Sequence, residues 1–114
     1  MKATIYHNPR CSKSREALSI LTDAGVKVDV VEYLKTPPSA AELKDVAAKL
    51  GIKPGAMVRT KEDEFKQLHL DLDDDKAVLA ALAKHPVLLE RPIVVMGSNA
   101  VIGRPPENVK KLLK

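Results

Sequence analysis

Cys11 is the only cysteine in 114 residues, and it lies in the run Tyr6-His7-Asn8-Pro9-Arg10-Cys11-Ser12-Lys13-Ser14-Arg15, where an apolar strand gives way to an amphipathic helix. The free N–H groups of a helix's first turn, the positive end of its dipole and the cations Arg10, Lys13 and Arg15 all favour thiolate over thiol there. A lone cysteine is commonly a small buried hydrophobe. Arg10, Ser12 and Lys13 are not core neighbours, so this one reads as a nucleophile. With no partner for an internal disulfide, any redox cycle through Cys11 needs a second thiol from outside. Ser14 completes a Cys-x-x-Ser spacing, a dithiol motif whose second sulfur has become a hydroxyl. It can donate a hydrogen bond to the thiolate but cannot resolve a disulfide.

A cluster of cations does little for the thiol alone. Lowering its pKa from ~8.5 to ~6.5 raises the thiolate fraction at pH 7 some 25-fold, from about 3% to about 75%. A Brønsted slope of ~0.4 to 0.5 takes back roughly tenfold in nucleophilicity. The cations are better explained as binding an anionic electrophile beside the sulfur. Arg59, Arg91 and Arg104 are the candidates, each next to a strand or helix end. Arg91 and Arg104 immediately precede Pro92 and Pro105, which fix the backbone that carries them. Planar forked donors suit a tetrahedral oxyanion in a way that lysine does not. A cis Arg91-Pro92 bond is expected, turning the arginine toward the end of the first strand. His7, four residues before the cysteine, is placed either to position the loop and influence the thiolate or simply to be a satisfied strand histidine. One cysteine and three scattered histidines give no metal-ligand spacing, and the Asp71 to Asp75 run lacks the glycine and distal glutamate of a calcium loop. No bound cofactor is expected.

The elements that must position these groups are readable from periodicity. Ala3 to His7 is a strand closed by Asn8-Pro9. Ala17, Leu18, Leu21 and Ala24 recur at helical spacing before Gly25. Val26 to Tyr33 alternates as a second strand. Ser39-Ala40-Ala41-Glu42 is a capping box for a helix carrying Leu43, Val46, Ala47 and Leu50 inward. Short helical turns are expected around Pro54 to Val58 and Glu62 to Leu68, and a helix through Lys84 that stops at His85-Pro86. Arg91 to Val95 and Ala100 to Ile102 form a hairpin about Gly97-Ser98-Asn99, and a last helix starts at Arg104-Pro105-Pro106-Glu107 with Val109, Leu112 and Leu113 inward. The order β-α-β, helical insert, β-β-α predicts an α/β fold: one domain over residues 1–114, a four-stranded mixed sheet flanked by helices, and an insert at about 52–88. The thiol then sits at the carboxyl end of the first strand, where open α/β sheets place their sites.

Composition narrows the function classes. The net charge of +4 and pI near 9.2 come from scattered lysines rather than from a cationic stripe, and 3% aromatic content supplies few stacking platforms, so nucleic acid is not expected as a partner. No apolar run approaches the ~18 residues of a membrane span. A lone free thiol fits a reducing, cytoplasmic compartment, and no extended apolar surface argues against a monomer.

In the residues just described the chain resembles the glutaredoxin-coupled arsenate reductase family, the ArsC-like branch of the thioredoxin fold. Tyr6-His7-Asn8-Pro9-x-Cys11 with Ser14-Arg15, Tyr33-Leu34 with Pro37-Pro38 and Ser39, Arg59, His85-Pro86, Arg91-Pro92-Ile93-Val94-Val95 and Arg104-Pro105 occur in the family's order over nearly the whole length. The Asn8-Pro9-Arg10-Cys11-Ser12-Lys13-Ser14-Arg15 loop is similar to that of a chromosomal subgroup. The resemblance implies a thioredoxin-like fold, Cys11 as nucleophile, Arg59, Arg91 and Arg104 around the oxyanion, and His7, Ser14, Arg15 and Pro92 in support. It further implies arsenate as substrate, glutathione as co-substrate and glutaredoxin as partner. Two other readings stand beside it. Spx-type regulators that bind RNA polymerase share the fold, although they carry a second cysteine where this chain has Ser14. A glutathione-linked thiol oxidoreductase acting on another substrate would keep the chemistry.

Overall fold

The computed structural model describes residues 2–113, which form two compact units: a sheet unit, residues 2–36 with 91–113, and a helical unit, Pro37–Glu90. The helical unit starts earlier than the sequence pattern suggests, because the helix opened by Ser39 packs with the later helices.

In the sheet unit, β1 (Lys2–His7) pairs in parallel with β2 (Lys27–Glu32) through the helical crossover α1 (Ser12–Asp23). Strand β1 also pairs antiparallel with β3 (Ile93–Met96), which turns at Gly97-Ser98 into β4 (Asn99–Ile102), giving the order β2-β1-β3-β4. The hairpin needs Gly97 at φ 62, a backbone conformation that favours glycine. Alternation along β1 sends Ala3 and Ile5 to the face covered by Ala17 and Leu21 of α1, with Val26, Val94 and Val109 completing a wholly aliphatic core. Helix α1 ends in a Schellman arrangement, Gly25 N donating to Thr22 O and Val26 N to Leu21 O, which starts β2 at once.

The C-terminal helix, expected from the sequence, is a 3-10 helix over Pro106–Leu113. Pro106 and Val109 are buried and Leu112 packs on the same core. A spacing of three residues is the period that a 3-10 helix places on one face. Arg91-Pro92 is cis, as expected, and Arg104-Pro105 is cis as well, which the sequence does not signal. Gly103 binds these segments together: its N–H donates to Pro92 O at 2.7 Å, and a Cβ there would lie 2.8 Å from Pro92 Cγ. Gly103→Ala is therefore expected to lower stability by about 1–3 kcal/mol through overpacking, read as a fall in Tm and a perturbed Pro92 environment by NMR.

In the helical unit, α2 (Ala40–Leu50) is capped by Ser39, whose Oγ accepts from Glu42 N at 3.1 Å. Helix α4 (Asp75–Lys84) is capped by Asp74, which accepts from Ala77 N, so the acidic run serves a helix N-terminus. Between them lie a 3-10 turn (Pro54–Met57) and the short α3 (Asp63–Leu68). Leu43, Val46, Met57, Val78, Leu82 and Leu88 are buried in this unit. No helix among the described residues is long and apolar enough to cross a membrane.

Candidate active site

Cys11 occupies the N-cap of α1 with extended backbone (φ −94, ψ 121), immediately after the turn that leaves β1. The turn is built by side chains. Asn8 Oδ1 accepts from Arg10 N at 3.0 Å, Asn8 O accepts from Cys11 N at 3.0 Å, and Arg15 Nη1 donates to Pro9 O at 2.8 Å. Ser14 is wholly buried, and its Oγ accepts from Asn8 N at 3.4 Å. Ser14 and Arg15 thus hold the loop's shape, which fixes where the sulfur points.

The sulfur is partly exposed and meets cations from the far end of the sequence. Arg104 Nη2 lies 3.8 Å from Cys11 Sγ, while Arg104 Nε donates to Arg91 O at 2.7 Å. One guanidinium thereby links the sulfur to the backbone of the other arginine. Burial pushes the thiol pKa up. The Ser14 N–H, the Arg91 side chain and the Lys13 N–H bring it down by more, with the Arg91 charge adding to them, to about 7. Sγ forms no cap bond of full hydrogen-bond geometry, so the N–H groups of Lys13 and Ser14 act mainly as dipoles aimed at the charge. The long Arg104 contact is the weaker one, and Arg91 dominates among the cations. The side chains of Arg10, Lys13 and Arg15, which the sequence also offers as thiolate stabilisers, are not among the leading causes of this shift. Arg91 is itself supported. Burial disfavours its charge, but interactions with the Cys11 thiolate and with wholly buried Tyr33 more than restore it.

A thiol so placed is half ionised near pH 7. Its alkylation by iodoacetamide is expected to rise through about pH 7 and level off above, as followed by stopped mass-spectrometric sampling. The folded pKa is depressed, so the group contributes stability above the unfolded value of ~8.5, and that contribution disappears as pH falls through the folded value.

The sheet unit therefore brings Cys11, Ser14, Arg91 and Arg104 together. The ArsC family model matches residues 6–112. The chain belongs to the ArsC family. It is 53% identical to the arsenate reductase of Neisseria meningitidis serogroup A over 96% of each chain, and 36% identical to an arsenate reductase of Escherichia coli K12, over 96% of this chain and 79% of that one. Among solved structures it is similar to an arsenate reductase from Vibrio cholerae, with a TM-score of 0.91 and 48% identity over 97% of each chain. The thioredoxin-like sheet expected from the sequence is thus the ArsC one.

Arg59 belongs to the helical unit, where Nη1 pairs with Glu62 Oε1 at 2.8 Å and its N–H donates to Leu88 O. His7 is 6% exposed on β1. Burial lowers its pKa against the pull of Glu32, its cross-strand neighbour, with Arg15 adding to the lowering, so it is neutral at physiological pH. His7 is not among the groups that set the thiol's pKa. His85 Nδ1 lies 3.4 Å from Glu64 Oε2, and His69 caps α3. Among the described residues no group of three His, Cys, Asp or Glu side chains is placed to hold a metal ion. Tyr33 is a wholly buried neighbour of Arg91 that the site residues expected from the sequence leave out. Its signal was a large aromatic ending an otherwise alternating strand in an aromatic-poor chain.

Proposed function

We propose that this chain is a cytoplasmic, monomeric arsenate reductase that works through a covalent adduct on Cys11, with glutathione and glutaredoxin as the external thiols. The observation that carries the reading is a solitary thiol, half ionised near neutrality, with the guanidinium groups of Arg91 and Arg104 beside it. Relatives named arsenate reductase at about half identity support the same substrate. The Cys11 thiolate attacks arsenic, forming an As–S bond as one As–O bond breaks, and the departing oxygen leaves as water. Arg91 and Arg104 neutralise the oxyanion as the sulfur approaches, which would otherwise bring like charges together. Arsenic then takes two electrons and leaves as arsenite. The two external thiols end as one disulfide, their protons leave on the water, and Cys11 returns as a thiol. By the resemblance to the family, Arg59 is assigned as the third guanidinium of this reading. No bound cofactor is needed, because the external thiols carry the electrons.

The test is coupled arsenate reduction, following arsenite by chromatography with arsenic detection. Arsenite should form only when glutathione and glutaredoxin are both supplied. Absence of arsenite under saturating thiols, or full activity with neither reductant, would overturn the reading.

A further inference from the structure

A cleft of about 350 Å³ lies in the sheet unit against the turn that carries Cys11, lined by His7, Asn8, Pro9, Arg10, Glu32, Leu34 and Lys35. That volume is within the range of small-ligand sites. Two local turns build it. The Asn8 side chain folds the segment after β1, and Lys35 N and Thr36 N both donate to Glu32 O to fold the segment after β2. Because β1 and β2 are parallel and His7 is paired with Glu32, both turns emerge at the same end of the sheet.

The lining has a definite charge pattern. Arg10, the residue immediately before the nucleophile, is exposed and has no ion pair among the described residues. Lys35 is the second cation, and Glu32, 3.6 Å from Lys35 Nζ, is a carboxylate in the same wall. A simple oxyanion would be repelled by Glu32, and a simple cation by Arg10 and Lys35. The complement is a molecule with two carboxylates and one ammonium. Leu34, 45% exposed although apolar, and Pro9 offer surface to an uncharged thiol-bearing middle. His7 Nδ1 is buried with no hydrogen-bond partner among the described residues, an exception to the usual satisfaction of buried polar atoms.

We infer that this cleft is the docking subsite of the first external thiol, a small zwitterionic thiol peptide of the glutathione type, held by Arg10 and Lys35 at its carboxylates and by Glu32 at its ammonium. The inference rests on the reductase reading for its purpose, since that chemistry requires an outside thiol beside Cys11. It assigns the thiol to the β2 side of the loop, a different wall from the one that carries Arg91 and Arg104.

The experiment uses S-methylglutathione, which binds without reacting, titrated into the full-length Cys11→Ser protein by calorimetry. Lys35→Glu should weaken binding about tenfold, a loss in keeping with one interaction replaced by repulsion. The double variant Glu32→Lys with Lys35→Glu keeps an ion pair on an exposed turn but reverses its polarity. It should fold with unchanged Tm and still bind poorly. In turnover on the Cys11 background, both variants should raise the KM for glutathione while leaving that for arsenate unchanged. Arsenate reduction with a glutathione KM indifferent to both variants overturns the cleft assignment alone. Lys35-dependent binding of S-methylglutathione without any arsenate reduction upholds the cleft and overturns the reductase reading.

Discussion

Cys11→Ser is expected to abolish arsenate reduction, by at least about 10³-fold, with the fold intact. Serine's hydroxyl is shorter than the thiol but of nearly the same shape, and Cys11 is a partly exposed N-cap, a position that serine favours. Stability should be unchanged or slightly higher, so lost activity could not be attributed to unfolding. Serine lacks the two properties that the site exploits: an acidity that the Lys13 and Ser14 N–H groups and Arg91 bring to about 7, and a sulfur that exchanges with an external thiol. Sulfate, as an unreactive tetrahedral anion, should still bind the variant, because Arg91 and Arg104 remain. The check is arsenite formation by wild type and variant in parallel, with sulfate affinity measured for both. Residual turnover above about one percent of wild type would remove Cys11 from the chemistry.

Much of the arrangement is legible without coordinates because short-range physics decides it. Gly25 ends α1, Ser39 and Asp74 cap α2 and α4, and Gly97-Ser98 turns the hairpin, each by a local backbone requirement that the residue type announces. The C-terminal helix is legible as a helix but not as a 3-10 helix. Val109 and Leu112 fit either period, and only the burial of Pro106 selects the tighter one. The extent of the helical unit is not legible either, since the pattern of α2 shows an apolar stripe without showing which helix covers it.

The site divides in the same way. Cys11 is marked by its neighbours in sequence, whereas the meeting of Cys11 with Arg91 and Arg104 depends on β3 lying beside β1, a long-range pairing that periodicity does not encode. The prolines after both arginines mark these two segments in the sequence, and the Pro92 carbonyl is held by the Gly103 N–H. Two of the cations nearest in sequence have other places in the structure. Arg15 is turned back onto Pro9 O and Arg10 lines the cleft, while Arg91, eighty residues away, and Arg104 reach the sulfur.

Arg91 gives the second large effect, and two substitutions separate its two roles. Arg91→Ala removes both a hydrogen bond and a charge from the thiolate, and the burial that pushes the thiol up remains, so the Cys11 pKa should rise from about 7 toward the ordinary thiol value. That change by itself costs only a few-fold in rate, because the fewer thiolates are individually more nucleophilic. Losing a donor aimed at the developing oxyanion costs about 10² to 10³ in kcat/KM. Arsenate turnover should therefore fall by about two orders of magnitude or more, far beyond what the pKa change explains. Arg91→Lys keeps a cation near the sulfur but not the planar fork. It should hold the thiol pKa near the wild-type value while still losing most of the arsenate turnover, and sulfate should no longer raise the thiol pKa as it does in wild type. Thiolate absorbance titrated with and without sulfate, set beside kcat/KM for each variant, makes the separation. If Arg91→Lys restored full turnover, the oxyanion would need only a positive charge at this corner. If Arg91→Ala cost no more than the few-fold expected from acidity, the guanidinium would be tuning the sulfur rather than holding the substrate.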